Sequence, residues 1–191
     1  MIKRELYMSR IRPFIGGELI KVVTGIRRSG KSVMLELVKQ ELLESGVGAE
    51  HFISINFEDM RNAHLCNAQS LHEEVLRLSS TIQGKVFLFF DEIQEVANWE
   101  KCINSLRVAL GCDIYITGSN AYMLSSELAT LLSGRYTEIK MLPLSFREYM
   151  AVTGMAKEEA FAEFMKTGGI PYVAVMNRTD EKIDQYLEGI Y

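Results

Sequence analysis

The octet Gly25-Ile26-Arg27-Arg28-Ser29-Gly30-Lys31-Ser32 matches the pattern GxxxxGK[ST] in full. It lies between a short apolar run, Leu19 to Thr24, and a segment of helical periodicity beginning at Lys31. Each residue type has a physical reason. Glycines permit a tight backbone whose successive N–H groups turn toward one anion, where side chains would stand in the way. The helix adds unpaired N–H groups and the positive end of its dipole. Lys31 supplies a point charge for β- and γ-phosphates, and the Ser32 hydroxyl is a ligand for Mg²⁺. Gly25, Ile26, Arg27, Arg28, Ser29, Gly30, Lys31, Ser32 and Val33 are therefore the expected cradle of a nucleoside triphosphate, with ATP and Mg²⁺ the expected cofactors. The alternative, a glycine turn that happens to precede a lysine, leaves the flanking strand and helix unexplained. Arg27 and Arg28 either contact phosphate or extend into solvent.

The rest of the chain alternates strand and helix patterns. Ile2 to Ile15, with apolar Ile2, Leu6, Ile11 and Phe14, reads as a short amphipathic helix stopped near Pro13 and Gly16-Gly17. Lys31 to Leu43 is apolar on much of its circumference, which predicts a helix buried on more than one side. His51 to Phe57, Val86 to Phe90 and Ile114 to Thr117 read as strands, the second apolar enough for the middle of a parallel sheet. Ala68 to Ser80 and Trp99 to Leu110 read as helices, the latter with Trp99, Ile103, Leu106 and Leu110 on one stripe. Short helices are expected at 121–132, 145–153 and 157–166, and a last one from Thr179-Asp180 to Tyr191. This alternation predicts βαβ units, a parallel sheet and helices on both faces. After Leu142 only helices follow, separated by Pro143, Gly154 and Gly168-Gly169. The expected organisation is a core over residues 1–142 and a small helical lid over 143–191. No stop signal precedes Tyr191, as expected of a chain cut from something longer.

Two further places carry chemistry. Val86 to Phe90 leads directly into Asp91-Glu92, and in a parallel sheet the carboxyl ends of strands share one rim. Asp91 is the expected Mg²⁺ partner, and Glu92 the acid that orients or deprotonates a water for attack on the γ-phosphate. A solvated turn is the plain alternative. The strand from Ile114 turns polar at Ser119-Asn120, where either residue could hydrogen-bond the γ-phosphate or the water, or Asn120 could cap a helix. Arg135 follows a glycine on an expected exposed loop. It is a candidate for reaching a neighbouring subunit's γ-phosphate, a surface salt bridge being the alternative.

Composition narrows the class. With 21 basic and 25 acidic residues the formal charge is −4, which gives no support to a strongly basic nucleic-acid surface. No apolar run approaches the ~20 residues of a membrane span, and Met1 opens a charged segment, so no membrane association is expected. Cys66, Cys102 and Cys112 form no CxxC pair and read as three buried thiols of a cytoplasmic protein. His64, Cys66 and His72 match no metal-ligand spacing.

GIRRSGKS, FLFFDEIQEVANWE, ITGSN, LSGRY and LPLSFREYM followed by GGIPY together resemble the bacterial and archaeal AAA-type ATPases that carry a DUF4143 region. The resemblance runs over essentially the whole chain. It implies an ASCE-type, AAA-like P-loop NTPase, a three-layer α/β sandwich with a helical lid. It further implies Walker A at Gly25 to Ser32, Walker B at Asp91, the catalytic acid at Glu92, a sensor position at Ser119-Asn120 and a candidate arginine at Arg135. Members of that family continue into a second domain, often suspected of nucleic-acid or nuclease-related work. Nucleic acid is expected here only through such a domain, and homo-oligomers are an open option. The expected function is Mg²⁺-dependent ATP hydrolysis. The competing reading is a non-hydrolysing, nucleotide-gated interaction module, which has no need of Glu92. A small-molecule kinase ranks below both, because the segment 145–166 has only Arg147 as arginine.

Overall fold

The computed structural model describes residues 3–119, 132–176 and 180–188. Most of the helix expected at 121–132, and Asn120 before it, lie outside the described residues.

The sheet is built from β1 (Ile20–Gly25), β2 (Phe52–Asn56), β3 (Phe87–Asp91), β4 (Asp113–Ser119) and β5 (Tyr136–Met141). All neighbours are parallel and the order is β2-β3-β4-β1-β5. The helices are α1 (Glu5–Ile11), α2 (Lys31–Glu44), α3 (Ala68–Ser79), α4 (Trp99–Leu110), α5 (Phe146–Thr153), α6 (Lys157–Thr167), α7 (Pro171–Val175) and α8 (Asp180–Glu188).

Strand alternation sorts side chains into two cores. Leu88 and Phe90 of β3 join Ile20, Val22, Ile114 and Ile116 beneath α3 and α4. Phe87 and Phe89 point the other way, with Val23 and Tyr115, beneath α1 and α2. The result is the expected three-layer α/β sandwich, a P-loop NTPase fold. A third, small cluster of Leu144, Tyr149, Ala160 and Ala174 belongs to α5, α6 and α7. Its aromatic contacts, Phe146 on Phe161 and Phe164 and Tyr149 on Phe164, are edge-on.

Three expectations are corrected. Residues Tyr136–Met141 form an edge strand that the apolar-run criterion passes over. Its sequence YTEIKM buries only Ile139 and Met141, because an edge strand needs one apolar face and no more. Helix α2 is buried on one side only: Met34, Leu35, Leu37, Val38 and Leu42 enter a single core, while Val33 and Leu43 are exposed. The N-terminal helix covers Glu5–Ile11, followed by a 3-10 turn, and its inward stripe is Arg4, Tyr7, Met8 and Ile11. Leu6 is exposed instead.

At the opposite end of the sheet from the phosphate loop, Lys21 and Asp113 are fully buried and ion-paired. Asp113 also accepts hydrogen bonds from the Tyr115 hydroxyl and the Gly16 N–H, at 2.9 and 2.7 Å. This buried, fully partnered pair ties β1 to β4 and to the turn preceding β1.

Candidate functional site

The strand register brings the candidate residues together. Gly25 pairs with Ser119 and with Met141, and Asn56 pairs with Asp91, so all five carboxyl ends lie on one rim. From that rim the chain runs through residues 26–30 into α2. Gly25 is glycine for lack of space: an added Cβ would stand 2.6 Å from the Met141 carbonyl oxygen and 2.7 Å from Ser29 Oγ. Gly30 has a φ of +96° as the residue capping α2, a conformation that disfavours any side chain. Arg28 is also left-handed, at +65°. A non-glycine residue there is held by its surroundings; its guanidinium lies 4.6 Å over the Tyr186 ring of α8.

Lys31 is 4% exposed, and its Nζ lies 3.4 Å from Glu92 Oε1 and 3.5 Å from the Ile26 carbonyl oxygen. Glu92 has a φ of +54°, which turns it out of the line of β3. Its other carboxylate oxygen accepts from Gln94 Nε2 at 2.7 Å. Asp91 is buried and held from two strands: Thr117 Oγ1 donates to Oδ1 at 2.5 Å and Asn56 Nδ2 donates to Oδ2 at 3.2 Å. The same Thr117 hydroxyl accepts from the Glu92 N–H at 3.0 Å. One hydroxyl thus orients both acidic residues.

Ser32, Asn56 and Asp91 line one small cavity of about 240 Å³. A hydroxyl and a carboxylate are oxygen donors of the kind a hard divalent cation takes, so Ser32 and Asp91 fit such an ion. The main cleft, about 1110 Å³, is bounded by Arg27–Val33 and Glu92 on one side and by Leu144, Val152, Tyr172 and Val175 on the other. Its first wall sets Arg27, Arg28 and Lys31 beside Glu58, Glu92 and Glu95, and the second is apolar. Ile26 and Val33 are exposed beside the loop, and Arg27 is a solvent-facing partner of Glu58 at 3.8 Å.

Of the remaining expected residues, one stands elsewhere. Ser119 ends β4 on the correct rim, while Asn120 lies outside the described residues. Arg135 is on the opposite rim: its carbonyl accepts from the Ile20 N–H at 2.9 Å, at the start of β1. With β1 six residues long, Arg135 is roughly 17–20 Å from the phosphate loop of its own chain. Its exposed guanidinium donates to Asn104 Oδ1 at 3.2 Å.

Four residues of the site escaped the sequence reading. Asn56 and Thr117 sit at or near the carboxyl ends of β2 and β4, and the polar-strand-end rule applied to Ser119 would have found them. Gln94 follows Glu92 by two positions. Arg4 carries no local signal: it is 5% exposed and reaches the loop through Nη1, which donates to the Ser29 carbonyl at 3.0 Å.

The sequence matches the AAA domain family over residues 17–150. It is 40% identical over 197 residues to an uncharacterised protein of Haemophilus influenzae, covering 100% of this chain and 48% of that protein. A Methanocaldococcus jannaschii protein, also uncharacterised, is 34% identical over 188 residues, covering 90% of this chain and 41% of its own length. The chain therefore spans less than half the length of these curated relatives. Among solved structures, the Aeropyrum pernix ORC1 protein in complex with DNA superimposes with a TM-score of 0.58 at 13% identity, over 100% of this chain and 66% of that one. The Thermotoga maritima RuvB Holliday junction branch migration motor gives 0.55 at 16%, over 91% and 60%. AMPPCP-bound DnaA from Aquifex aeolicus gives 0.55 at 13%, over 100% and 62%. These likenesses show the fold, and the sequence match shows the family. A parallel sheet whose first strand feeds a glycine-bounded loop into α2, matched in sequence from residue 17 to residue 150, makes the chain a member of the AAA domain family.

Proposed function

We propose that the chain is a Mg²⁺-dependent ATP-hydrolysing module, with residues 1–142 as its core and 143–191 as a helical lid over the nucleotide. The observation that carries this reading is the meeting of Lys31 with Glu92 at the sheet rim, 3.4 Å apart. A binding module needs the lysine and has no use for a carboxylate poised beside it.

In this reading the phosphates lie along the N–H groups of residues 25–33, and the nucleoside lies toward the apolar wall of Leu144, Val152 and Tyr172. The triphosphate replaces Glu92 as the partner of Lys31. Glu92 is then free to orient a water toward the γ-phosphate and accept its proton. Asp91 and Ser32 hold the Mg²⁺, which supplies charge compensation for the phosphate oxygens. Ser119, at the end of β4, and Asn120 after it are the candidates for a γ-phosphate or water contact. Arg135, facing away from its own loop, acts in this scheme only on the nucleotide of a neighbouring copy. Homo-oligomerisation is therefore part of the proposal. Nucleic acid enters only through the portion of the relatives that this chain does not span; the net charge of −4 supplies no general attraction to it.

The deciding experiment is Mg²⁺-dependent ATP turnover of the wild type beside Glu92→Gln. Turnover lost in the variant, with ATP binding retained, supports the hydrolase. Absent turnover in both proteins, with ATP still bound, would replace it with the gated interaction module.

A further inference from the structure

Arg4 stands in the N-terminal segment, where a charged residue is ordinarily solvated, yet it is 5% exposed. Its guanidinium joins three parts of the chain. Nη1 donates to the carbonyl of Ser29 in the phosphate loop at 3.0 Å. Nε and Nη2 form a fork on the two carboxylate oxygens of Glu148 in α5, at 3.0 and 3.2 Å. Nη2 also donates to the Pro143 carbonyl at 3.0 Å. The guanidinium packs 4.6 Å from the centre of the Tyr7 ring, and the Tyr7 hydroxyl accepts from the Leu142 N–H at 3.0 Å. Arg4 and Tyr7 together grip the chain where β5 gives way to α5.

We propose that Arg4 is a positioning residue that sets the phosphate loop in its anion-binding shape and transmits the loop's occupancy to the helices that follow β5. The proposal rests on the nucleotide reading of residues 25–32.

The physical argument begins at one peptide group. In a trans peptide the carbonyl of Ser29 and the N–H of Gly30 point to opposite sides. Holding that carbonyl toward Arg4 aims the Gly30 N–H the other way and polarises it as a donor. A phosphate drawn to this N–H acts on the same rigid unit and therefore on the guanidinium behind it. The fork on Glu148 is planar and fixed in geometry, so a displacement at one end is not absorbed by free rotation, as it would be with an ammonium. Glu148 in turn closes the capping box of α5, accepting from the Ser145 N–H and hydroxyl, both at 2.8 Å. The first turn of α5 is thus linked to the loop through one side chain. A residue that merely packs would lower stability equally with and without nucleotide. A coupling residue changes how α5 responds to nucleotide.

The test is hydrogen–deuterium exchange with and without Mg-ATP, read at residues 25–32 and 142–153, alongside titration with a fluorescent ATP analogue. In the wild type, ATP slows exchange in both segments. Arg4→Lys, which keeps the charge and loses the fork, weakens ATP binding by about tenfold, the scale of one charge-assisted hydrogen bond. Glu148→Gln keeps a capping side chain and saturable ATP binding. It retains ATP-dependent protection at 25–32 and loses it at 142–153. Wild-type affinity and wild-type protection at 142–153 in both variants would overturn the tether while leaving the nucleotide reading intact. A wild type that binds ATP no better than Lys31→Ala overturns the nucleotide reading, and the tether with it.

Discussion

The ammonium of Lys31 and the carboxylate of Glu92 lie 3.4 Å apart on one wall of the cleft, 4% and 15% exposed. Each side chain starts from a different element, the first turn of α2 and the residue that follows β3. Each has one further tie, Lys31 to the Ile26 carbonyl and Glu92 to Gln94. Two opposite charges so placed satisfy one another in the chain without ligand. In the proposed reading, an incoming phosphate would compete with Glu92 for the lysine, and its arrival would release the acid.

This competition gives a prediction about affinity. Lys31→Ala removes the loop side chain that is paired with the acid and proposed to hold the phosphates, and should abolish saturable ATP binding. Glu92→Gln removes the competitor and should bind ATP at least as tightly as the wild type, while turnover falls by about 10²-fold or more. Calorimetric titration of the three proteins checks this. Markedly weaker binding in Glu92→Gln would mean that the acid supports the ligand and does not compete with it.

Thr117 gives a prediction about the scaffold beneath the acids. Thr117→Val is close to isosteric, yet it takes a donor from the buried Asp91 and an acceptor from the Glu92 N–H. A buried polar group left unmatched costs about 1–3 kcal/mol, which urea unfolding can resolve. Turnover should fall as well, since the left-handed backbone at Glu92 loses its anchor. Unchanged stability would show that Asn56 alone suffices to hold Asp91.

Much of this arrangement is legible in the sequence because phosphate chemistry is local. Gly25 to Ser32 and Asp91-Glu92 are contiguous patterns whose residue types follow from the chemistry proposed for them, and the strand register carries both to one rim. What escaped is non-local. Arg4 is an ordinary charged residue until Glu148, Pro143 and Ser29 are folded around it. Strand β5 escaped for a different reason. At the sheet edge Glu138 and Lys140 are exposed and Thr137 is only half-buried, and these polar residues dilute the apolar signal that marks β3. The buried Lys21 escaped because its partner Asp113 is 92 residues away in sequence, although β1 and β4 are neighbours.

The Arg4–Glu148 contact gives a pH dependence. Burial pushes the Glu148 carboxyl upward, but the Arg4 guanidinium and the Ser145 donors more than offset it, leaving the group below its ordinary value of 4.5. A carboxyl depressed on folding contributes stability above its unfolded pKa and loses it as pH falls through the folded one. Wild type should therefore be more stable than Glu148→Gln at neutral pH, and the difference should shrink below about pH 4.5. Urea midpoints of the two proteins between neutral and acid pH measure it. A gap that stays constant would assign the effect of Glu148 to packing.

The cysteines are separable by reactivity. Burial pushes the Cys102 thiol up to about 12 and the Cys112 thiol up to about 11. Cys66, expected to be buried like the others, is only partly so. Since the thiolate is the nucleophile, iodoacetamide at mildly alkaline pH should label Cys66 first and the other two only as the chain unfolds. Peptide mass spectrometry over time reads this directly. Labelling of Cys102 as fast as Cys66 would show that α4 opens readily from the sheet.

Arg135 separates action within one chain from action between chains. Its backbone is bonded to Ile20 at the start of β1, while the phosphate loop begins where β1 ends, so the length of the strand lies between them. No rotation of an arginine side chain spans that separation. The contact with Asn104 is exposed, and an exposed polar contact of this kind contributes little to stability. Arg135→Ala should therefore fold normally and bind ATP like the wild type. If the residue serves a neighbour's nucleotide, wild-type specific turnover should climb with protein concentration, whereas Arg135→Ala should stay flat, the loss reaching roughly 10³-fold at saturation. Mixing supplies the sharper test: Arg135→Ala and Glu92→Gln, each inactive alone, should regain activity together, because one contributes the acid and the other the arginine. Failure of the mixture, with both proteins shown to associate, would return Arg135 to the role of a surface partner of Asn104.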